Sequence, residues 1–160
     1  MSEHLLHFIP VALNYVPDTE QQQAAQTYLS EWIESDDIIH KAEPDVIFWS
    51  GSENFRYPLC PACRKAVPGS WWSAQMNAVF ACEGNSRIAA VLEPRQTPCC
   101  SAPVALPDMD YDETGGFARY GLTVRYNNSF IVCMDNGRDE IIRRVSQCLG
   151  TPVHLVWEWI

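Results

Sequence analysis

The spacing of apolar positions changes several times along the chain, and each change marks a predicted element. Leu5, Leu6, Phe8, Ile9, Val11 and Leu13 form an apolar run interrupted by Pro10. Proline fixes its own φ and removes an amide donor, so this run predicts a strand or extended segment over 5–13 and no helix. After Asp18 or Thr19, either of which can cap, the spacing becomes helical through EQQQAAQTYLSEWI. Ala24, Ala25, Tyr28, Leu29, Trp32 and Ile33 recur at helical intervals there and predict a face turned to the core. The polar stretch SDDIIHKAEPD ends that pattern, and 46–49 reads as a short strand closed by Ser50-Gly51.

The middle of the chain is punctuated by proline. Pro58, Pro61 and Pro68 flank Cys60 and Cys63 and keep that stretch out of regular structure, while Ser70 is the expected cap of a short helix over 71–80. Residues 87–92 read as a strand leading to Cys99 and Cys100, followed by the connector APVALPDMDYDETGG. The last third predicts a strand over 117–126, a turn at Asn127-Asn128-Ser129, an extended piece over 131–134 and a helix over 137–149 stopped by Gly150. A terminal strand in TPVHLVWEWI completes a β-α-β unit. The expectation is a mixed α/β (α+β) single domain over 1–160, with a zinc-ribbon-like segment at 59–101 inserted between two α/β portions. At 160 residues and 47% hydrophobic content such a domain buries roughly 70% of the surface its unfolded chain exposes, so a metal is a local support and not the sole source of folding.

Charge narrows the function classes. Eleven basic residues against 20 acidic give a formal charge of −9, which repels nucleic-acid phosphates and anionic membranes and favours a basic protein partner. The opening residues lack a basic n-region and a long apolar core, and no stretch approaches the apolar length of a membrane span, so a cytoplasmic protein is expected. Seven cysteines, an odd number arranged as a CxxC, an adjacent pair and three singles, suit metal ligands plus buried thiols better than a secreted disulfide framework.

Cys60-Pro61-Ala62-Cys63 carries the strongest chemistry, because two cysteines two residues apart on a tight turn aim both sulfurs at one tetrahedral ion. Cys99 and Cys100, preceded by Thr97-Pro98, supply the second pair after 35 intervening residues, and four thiolates make a closed structural zinc site. An alternative set uses Cys82 in place of Cys99 or Cys100. Cys133 and Cys148 lie among apolar residues and read as small buried hydrophobes. A redox CxxC opens a helix directly after an apolar strand, whereas Arg64-Lys65-Ala66-Val67-Pro68 follows here. A nucleobase deaminase needs H-x-E and P-C-x-x-C, and His40-Lys41-Ala42-Glu43 and Pro58-Leu59-Cys60 each carry one residue too many.

The remaining candidates are weaker. His4, His7, His40 and His154 form no nucleophile motif and read as surface or strand-packing histidines. Asp108, Asp110, Asp112 and Glu113 lack EF-hand spacing and read as a solvated acidic loop able to meet a basic partner. Trp71 and Trp72 pack near the cysteines or anchor an interface. Arg138, Arg143 and Arg144 read as the wet face of the last helix.

CPAC, Trp71-Trp72, Pro98-Cys99-Cys100, the stretch 106–111, Gly116-Phe117-Ala118-Arg119-Tyr120 and CLGTPVHLVW resemble a group of small uncharacterised bacterial proteins with a CxxC...CC core and a GFAR[FY] strand. The resemblance spans roughly residues 60–160 and implies paired cysteines and a C-terminal β-α-β unit, with no activity to carry over. In composition alone the chain resembles bacterial immunity proteins, acidic inhibitors that neutralise toxins. The expected function is therefore a non-enzymatic zinc protein that occludes the active cleft of a basic partner such as a toxin. The partner surface is assigned to Asp108, Asp110, Asp112, Glu113, Trp71 and Trp72. A zinc-dependent or thiol-redox enzyme, and an adaptor module of a larger assembly, are the alternatives.

Overall fold

In the computed structural model, which describes residues 3–160, the chain runs β1 (His4–Pro10), α1 (Thr19–Leu29), β2 (Ile38–Ser50), α2 (Gly69–Phe80), α3 (Gly84–Leu92), β3 (Arg95–Gln96), β4 (Pro103–Val104), β5 (Gly115–Arg125), α4 (Asn128–Leu149) and β6 (Val153–Trp159). The expected mixed α/β class is the one observed: a four-stranded antiparallel sheet in the order β2-β5-β1-β6 with four helices in one domain. β5 and β6 each run antiparallel to β1, which lies between them. They are therefore parallel to one another, and β5-α4-β6 is the expected β-α-β unit, split by the first strand of the chain.

Two large apolar clusters and a smaller one, of Ile9, Trp49, Ala118 and Val156, hold the elements together. One face of the sheet, through Leu6, Phe8, Tyr120, Leu122, Val124 and Leu155, buries Ala25 and Leu29 of α1 and Phe130, Val145 and Leu149 of α4. A second cluster joins Val46 and Phe117 at the sheet's end to Trp72, Met76 and Val79 of α2, Val91 of α3, and Leu106, Met109 and Tyr111. This second core carries the cysteines.

Local chemistry accounts for the element ends. Asp18 caps α1 with a reciprocal capping box, its carboxylate accepting from the Gln21 amide at 2.8 Å while Gln21 Oε1 accepts from the Asp18 amide. The helix stops at Leu29, short of the predicted 33, yet Ile33 stays buried and Ala24 faces solvent. α2 follows Pro68, and Ser70 lies inside the helix instead of capping it.

Three expectations are corrected. Residues 87–92 belong to helix α3, in which Ile88 and Val91, three apart, turn to the second core, whereas a strand would split them between faces. Residues 131–134 lie in the first half of α4, which Asn127 caps through its side chain to the Phe130 amide; Gly137 kinks the helix at φ −147°. The polar stretch before 46 opens with a 3-10 turn, Ser35–Asp37, and from Ile38 belongs to one long strand, β2, whose register against β5 shifts between Ala42 and Ile47. A bulge there absorbs Pro44, which cannot donate to the ladder.

The sheet curls on its uncovered side. Past β2 the chain returns to the free edge of β6, where Trp159 donates to the Gly51 carbonyl at 3.1 Å and Glu53 donates to the Trp159 carbonyl at 3.0 Å. Trp49 lies across the concave face, its indole N–H donating to the Ala118 carbonyl at 3.2 Å. Gly121 makes this possible, since a Cβ at 121 would sit 2.5 Å from the Trp49 ring. Gly121→Ala should therefore displace the indole and lower the unfolding free energy by roughly 1–3 kcal/mol. Urea denaturation of the variant, with Ile39→Ala at an exposed site as control, measures it.

Candidate metal centre

Each cysteine pair sits on a short turn closed by its own backbone. In the first turn the Arg64 amide donates to the Cys60 carbonyl at 2.8 Å, the Cys60 amide donates to the Lys65 carbonyl at 2.8 Å, and Leu59 bridges Ala66. In the second the Ser101 amide donates to the Thr97 carbonyl at 2.8 Å, the Thr97 amide donates to the Ala102 carbonyl at 3.0 Å, and β3 pairs with β4 around it. The helices α2 and α3 fill the long interval between the turns. The lobe is thus two cysteine turns, each flanked by short antiparallel pairing, with α2 and α3 between them along the chain.

Docking brings the ligand atoms of Cys60, Cys63, Cys99 and Cys100 all within 4.8 Å of one another. Cys63 Sγ and Cys99 Sγ are 3.4 Å apart, and Cys60 Sγ and Cys100 Sγ are 3.8 Å apart. A tetrahedron of sulfurs about 2.3 Å from a central ion has edges of about 3.8 Å, so the cluster has the size such a site needs. The four cysteines can hold a metal ion. Cys82 lies outside the cluster at the end of α2, its thiol directed to the Ala78 carbonyl at 3.7 Å, which removes the alternative ligand set. Cys133 and Cys148 pack, partly buried, against the main core.

The surroundings favour thiolate at Cys60 and Cys100 and oppose it at Cys63. The amides of Cys63 and Ala62 and the hydroxyl of Thr97 hold the Cys60 thiol down to about 6, against the opposing effect of burial. Thr97 and the Ala102 amide lower Cys100. At Cys63 the Lys65 amide pulls downward, but thiol contacts with Cys99, Cys100 and Cys60 together with burial outweigh it and push the group up to about 11. Crowded sulfurs cannot all ionise unless a cation replaces their protons, and that is the condition a metal meets.

The other sequence-selected residues fall in two groups. Trp72 is 9% exposed and its indole N–H donates to the Tyr111 hydroxyl at 3.2 Å, so it packs the second core; Trp71 is partly buried against the same core. Of the acidic loop, Asp110 accepts from Arg64 at 2.7 Å, Asp112 lies 3.6 Å from Arg56, and Glu113 meets Arg138 and the Trp157 indole N–H. Three of its four carboxylates are thus already met by arginine. Asp108 stays exposed and, among the described residues, makes no ion pair. It borders a cleft of about 290 Å³ whose lining includes Val11 and Leu92, exposed by 54% and 52%.

A polar relay on the concave face escaped the sequence reading. His7 Nδ1 lies 2.7 Å from Thr123 Oγ1, its Nε2 lies 2.7 Å from Glu158, and Ser52 donates to the other oxygen of that carboxylate. Thr123 stands opposite His7 in the sheet and Glu158 two positions beyond its partner Val156 on β6. A single polar residue between Leu5 and Ile9 on one strand face was the signal available. His7 and Thr123 are buried side chains whose polar atoms are mutually satisfied, so the relay reads as a clasp between β1, β5, β6 and the segment after β2.

Comparison with known proteins finds no matching family model, no similar curated protein and no similar solved structure. Among the described residues no helix is long and apolar enough to cross a membrane.

Two outcomes follow from these environments. Burial, the largest cause at both sites, lowers the pKa of His7 and His40 below the ordinary 6.5, so the unfolded chain binds the extra protons first. Stability should be complete above about pH 6.5 and fall as pH drops through the lowered folded-state values, read as a decreasing urea midpoint between pH 7.5 and 5. For the cysteines, Cys60→Ser and Cys100→Ser should each cut bound metal by at least about tenfold, whereas Cys82→Ser and Cys148→Ser leave it unchanged. Metal analysis of the purified variants tests the ligand set.

Proposed function

We propose that this is a non-enzymatic zinc protein in which one Zn²⁺ braces the cysteine lobe and the acidic surface beside that lobe binds a basic protein. The convergence of four cysteine sulfurs within 4.8 Å carries the metal part of the reading. Zinc fits because it accepts four thiolates in a tetrahedron without any preference for other geometries. Cys60, Cys63, Cys99 and Cys100 fill all four positions, leaving none for a reacting water, and such a set supports a structural role over catalysis.

The partner reading rests on charge and on the cleft beside the lobe. A chain with formal charge −9 accelerates encounter with a basic surface. Asp108, with Val11 and Leu92 on the same cleft, offers a carboxylate beside aliphatic surface, which suits a lysine or arginine with its long apolar stem. Asp110, Asp112 and Glu113 line the same cleft and are paired at the surface with Arg64, Arg56 and Arg138, which leaves Asp108 the carboxylate without an arginine of its own among the described residues. A basic toxin whose active cleft is occluded is the partner such an acidic cytoplasmic protein would serve.

Native mass spectrometry of the purified protein should record one zinc per chain, and a metal-free protein would overturn the metal reading. Coexpressed with a basic protein encoded beside it, the chain should form a complex that weakens with salt and that Asp108→Lys and Leu92→Glu each weaken by at least about tenfold, the size of one lost central contact. A complex indifferent to both changes and to salt places the interface elsewhere.

A further inference from the structure

The two cysteine turns are the same turn used twice. Residues 60–65, Cys-Pro-Ala-Cys-Arg-Lys, align with 97–102, Thr-Pro-Cys-Cys-Ser-Ala. In both, the fifth residue's amide donates to the first residue's carbonyl and the first residue's amide donates to the sixth residue's carbonyl. The fifth residues, Arg64 and Ser101, are both left-handed, at φ 62° and 61°. The sulfur of the fourth residue faces the amide of the sixth in each case, Lys65 for Cys63 and Ala102 for Cys100.

The equivalence breaks at one ligand. Position one of the first turn is Cys60, but position one of the second is Thr97, which is 1% exposed. Its Oγ1 lies 3.7 Å from Cys60 Sγ and 3.5 Å from Cys100 Sγ. A hydroxyl therefore stands where the repeated turn would supply its own sulfur. The fourth sulfur comes instead from position three, Cys99, whose counterpart in the first turn is Ala62. Cys99 Sγ meets Cys63 Sγ at 3.4 Å, against 3.8 Å between Cys60 Sγ and Cys100 Sγ, and both residues are half-exposed. In the other cross pair Cys100 is exposed but Cys60 is fully buried, and the Thr97 hydroxyl touches both of that pair's sulfurs, so what sets Cys99 apart is its place outside the repeated turn positions and its short contact with a half-exposed partner.

We propose that Cys99 is the releasable ligand of the centre and, paired with Cys63, its site of oxidation by peroxides. The inference rests on the metal reading above and extends it to a modification site. The Cys99 thiolate attacks the O–O bond of hydrogen peroxide, giving a sulfenic acid and hydroxide. The Cys63 thiolate then attacks that sulfur, the S–S bond forms and a second hydroxide leaves. Two thiolates lose two electrons, one peroxide gains them, and the ion keeps only two sulfurs and dissociates. A thiol reductant reverses the bond, so metal occupancy would follow the peroxide level.

Peroxide treatment of the purified, metal-loaded protein, followed by peptide mapping and by a chromogenic chelator, tests this. The expected first product is a Cys63–Cys99 disulfide formed together with metal release, and both reverse on reduction and re-addition of zinc. Cys99→Ser should slow peroxide-driven release by at least about tenfold. Thr97→Cys keeps all native cysteines and restores the turn's own ligand position; it should retain metal while Cys99 becomes rapidly alkylated by iodoacetamide. A first product at Cys60–Cys100, or at Cys82, Cys133 or Cys148 with the centre intact, overturns the proposal, as does a Thr97→Cys protein in which Cys99 stays as protected as before. If the untreated protein carries no zinc, the metal reading fails separately. The disulfide then decides alone: Cys63–Cys99 upholds the oxidation site, and any other pairing overturns it.

Discussion

Four sulfurs held within 4.8 Å of one another set the terms for the whole cysteine lobe. Thiolates so close repel, and the backbone amides and the Thr97 hydroxyl that face them offset only part of that repulsion. A cation can satisfy all four, and the two backbone-closed turns are what bring the ligand atoms to one point. Everything around the turns serves their alignment. The helices α2 and α3 span the interval, Trp72 and Tyr111 bond to each other inside the core behind them, and Arg64 is tied to Asp110 across the base of the first turn.

The same alignment connects the lobe to the sheet. Leu59 of the first turn forms a bridge with Asp110, and the loop after Asp110 passes through two consecutive left-handed residues, Asp112 at φ 49° and Glu113 at φ 58°. Neither is glycine, and such backbone persists only where neighbours over-determine it. Here Trp157 donates to the Glu113 carbonyl at 2.9 Å, and Arg56 and Arg138 meet the two carboxylates. The acidic loop is thus a joint between the cysteine lobe and the β5–β6 end of the sheet. Arg64, Arg56 and Arg138 offset part of its charge at the surface, and Asp108 is the loop carboxylate left without an ion pair among the described residues, beside an exposed apolar edge.

Most of the main core was legible from periodicity. The α1 pattern, the 117–126 strand, the helix ending at Gly150 and the terminal strand all lie close to where their spacing put them, because each has one strongly apolar face. The errors share a cause. Residues 87–92 and 131–134 are short apolar runs, and over four to six residues helix and strand bury similar numbers of side chains, so only their neighbours decide. The long β2 was missed because its edge position leaves much of it exposed and polar.

The cysteine ligands could be named from spacing because a CxxC needs no distant information: two residues on one turn already aim at one point. That turn chemistry, the acidic balance and the apolar periods were determined by the sequence alone. The tertiary structure decided between the expected second pair, Cys99 and Cys100, and the alternative with Cys82, because only the docking of the two turns places Cys82 outside the cluster. It also decided that Thr97 stands in a ligand's place, that three acidic side chains face arginines far along the chain, and that His7, Thr123 and Glu158 meet. Each of these depends on contacts between residues distant in sequence, and no local pattern encodes the distance between them.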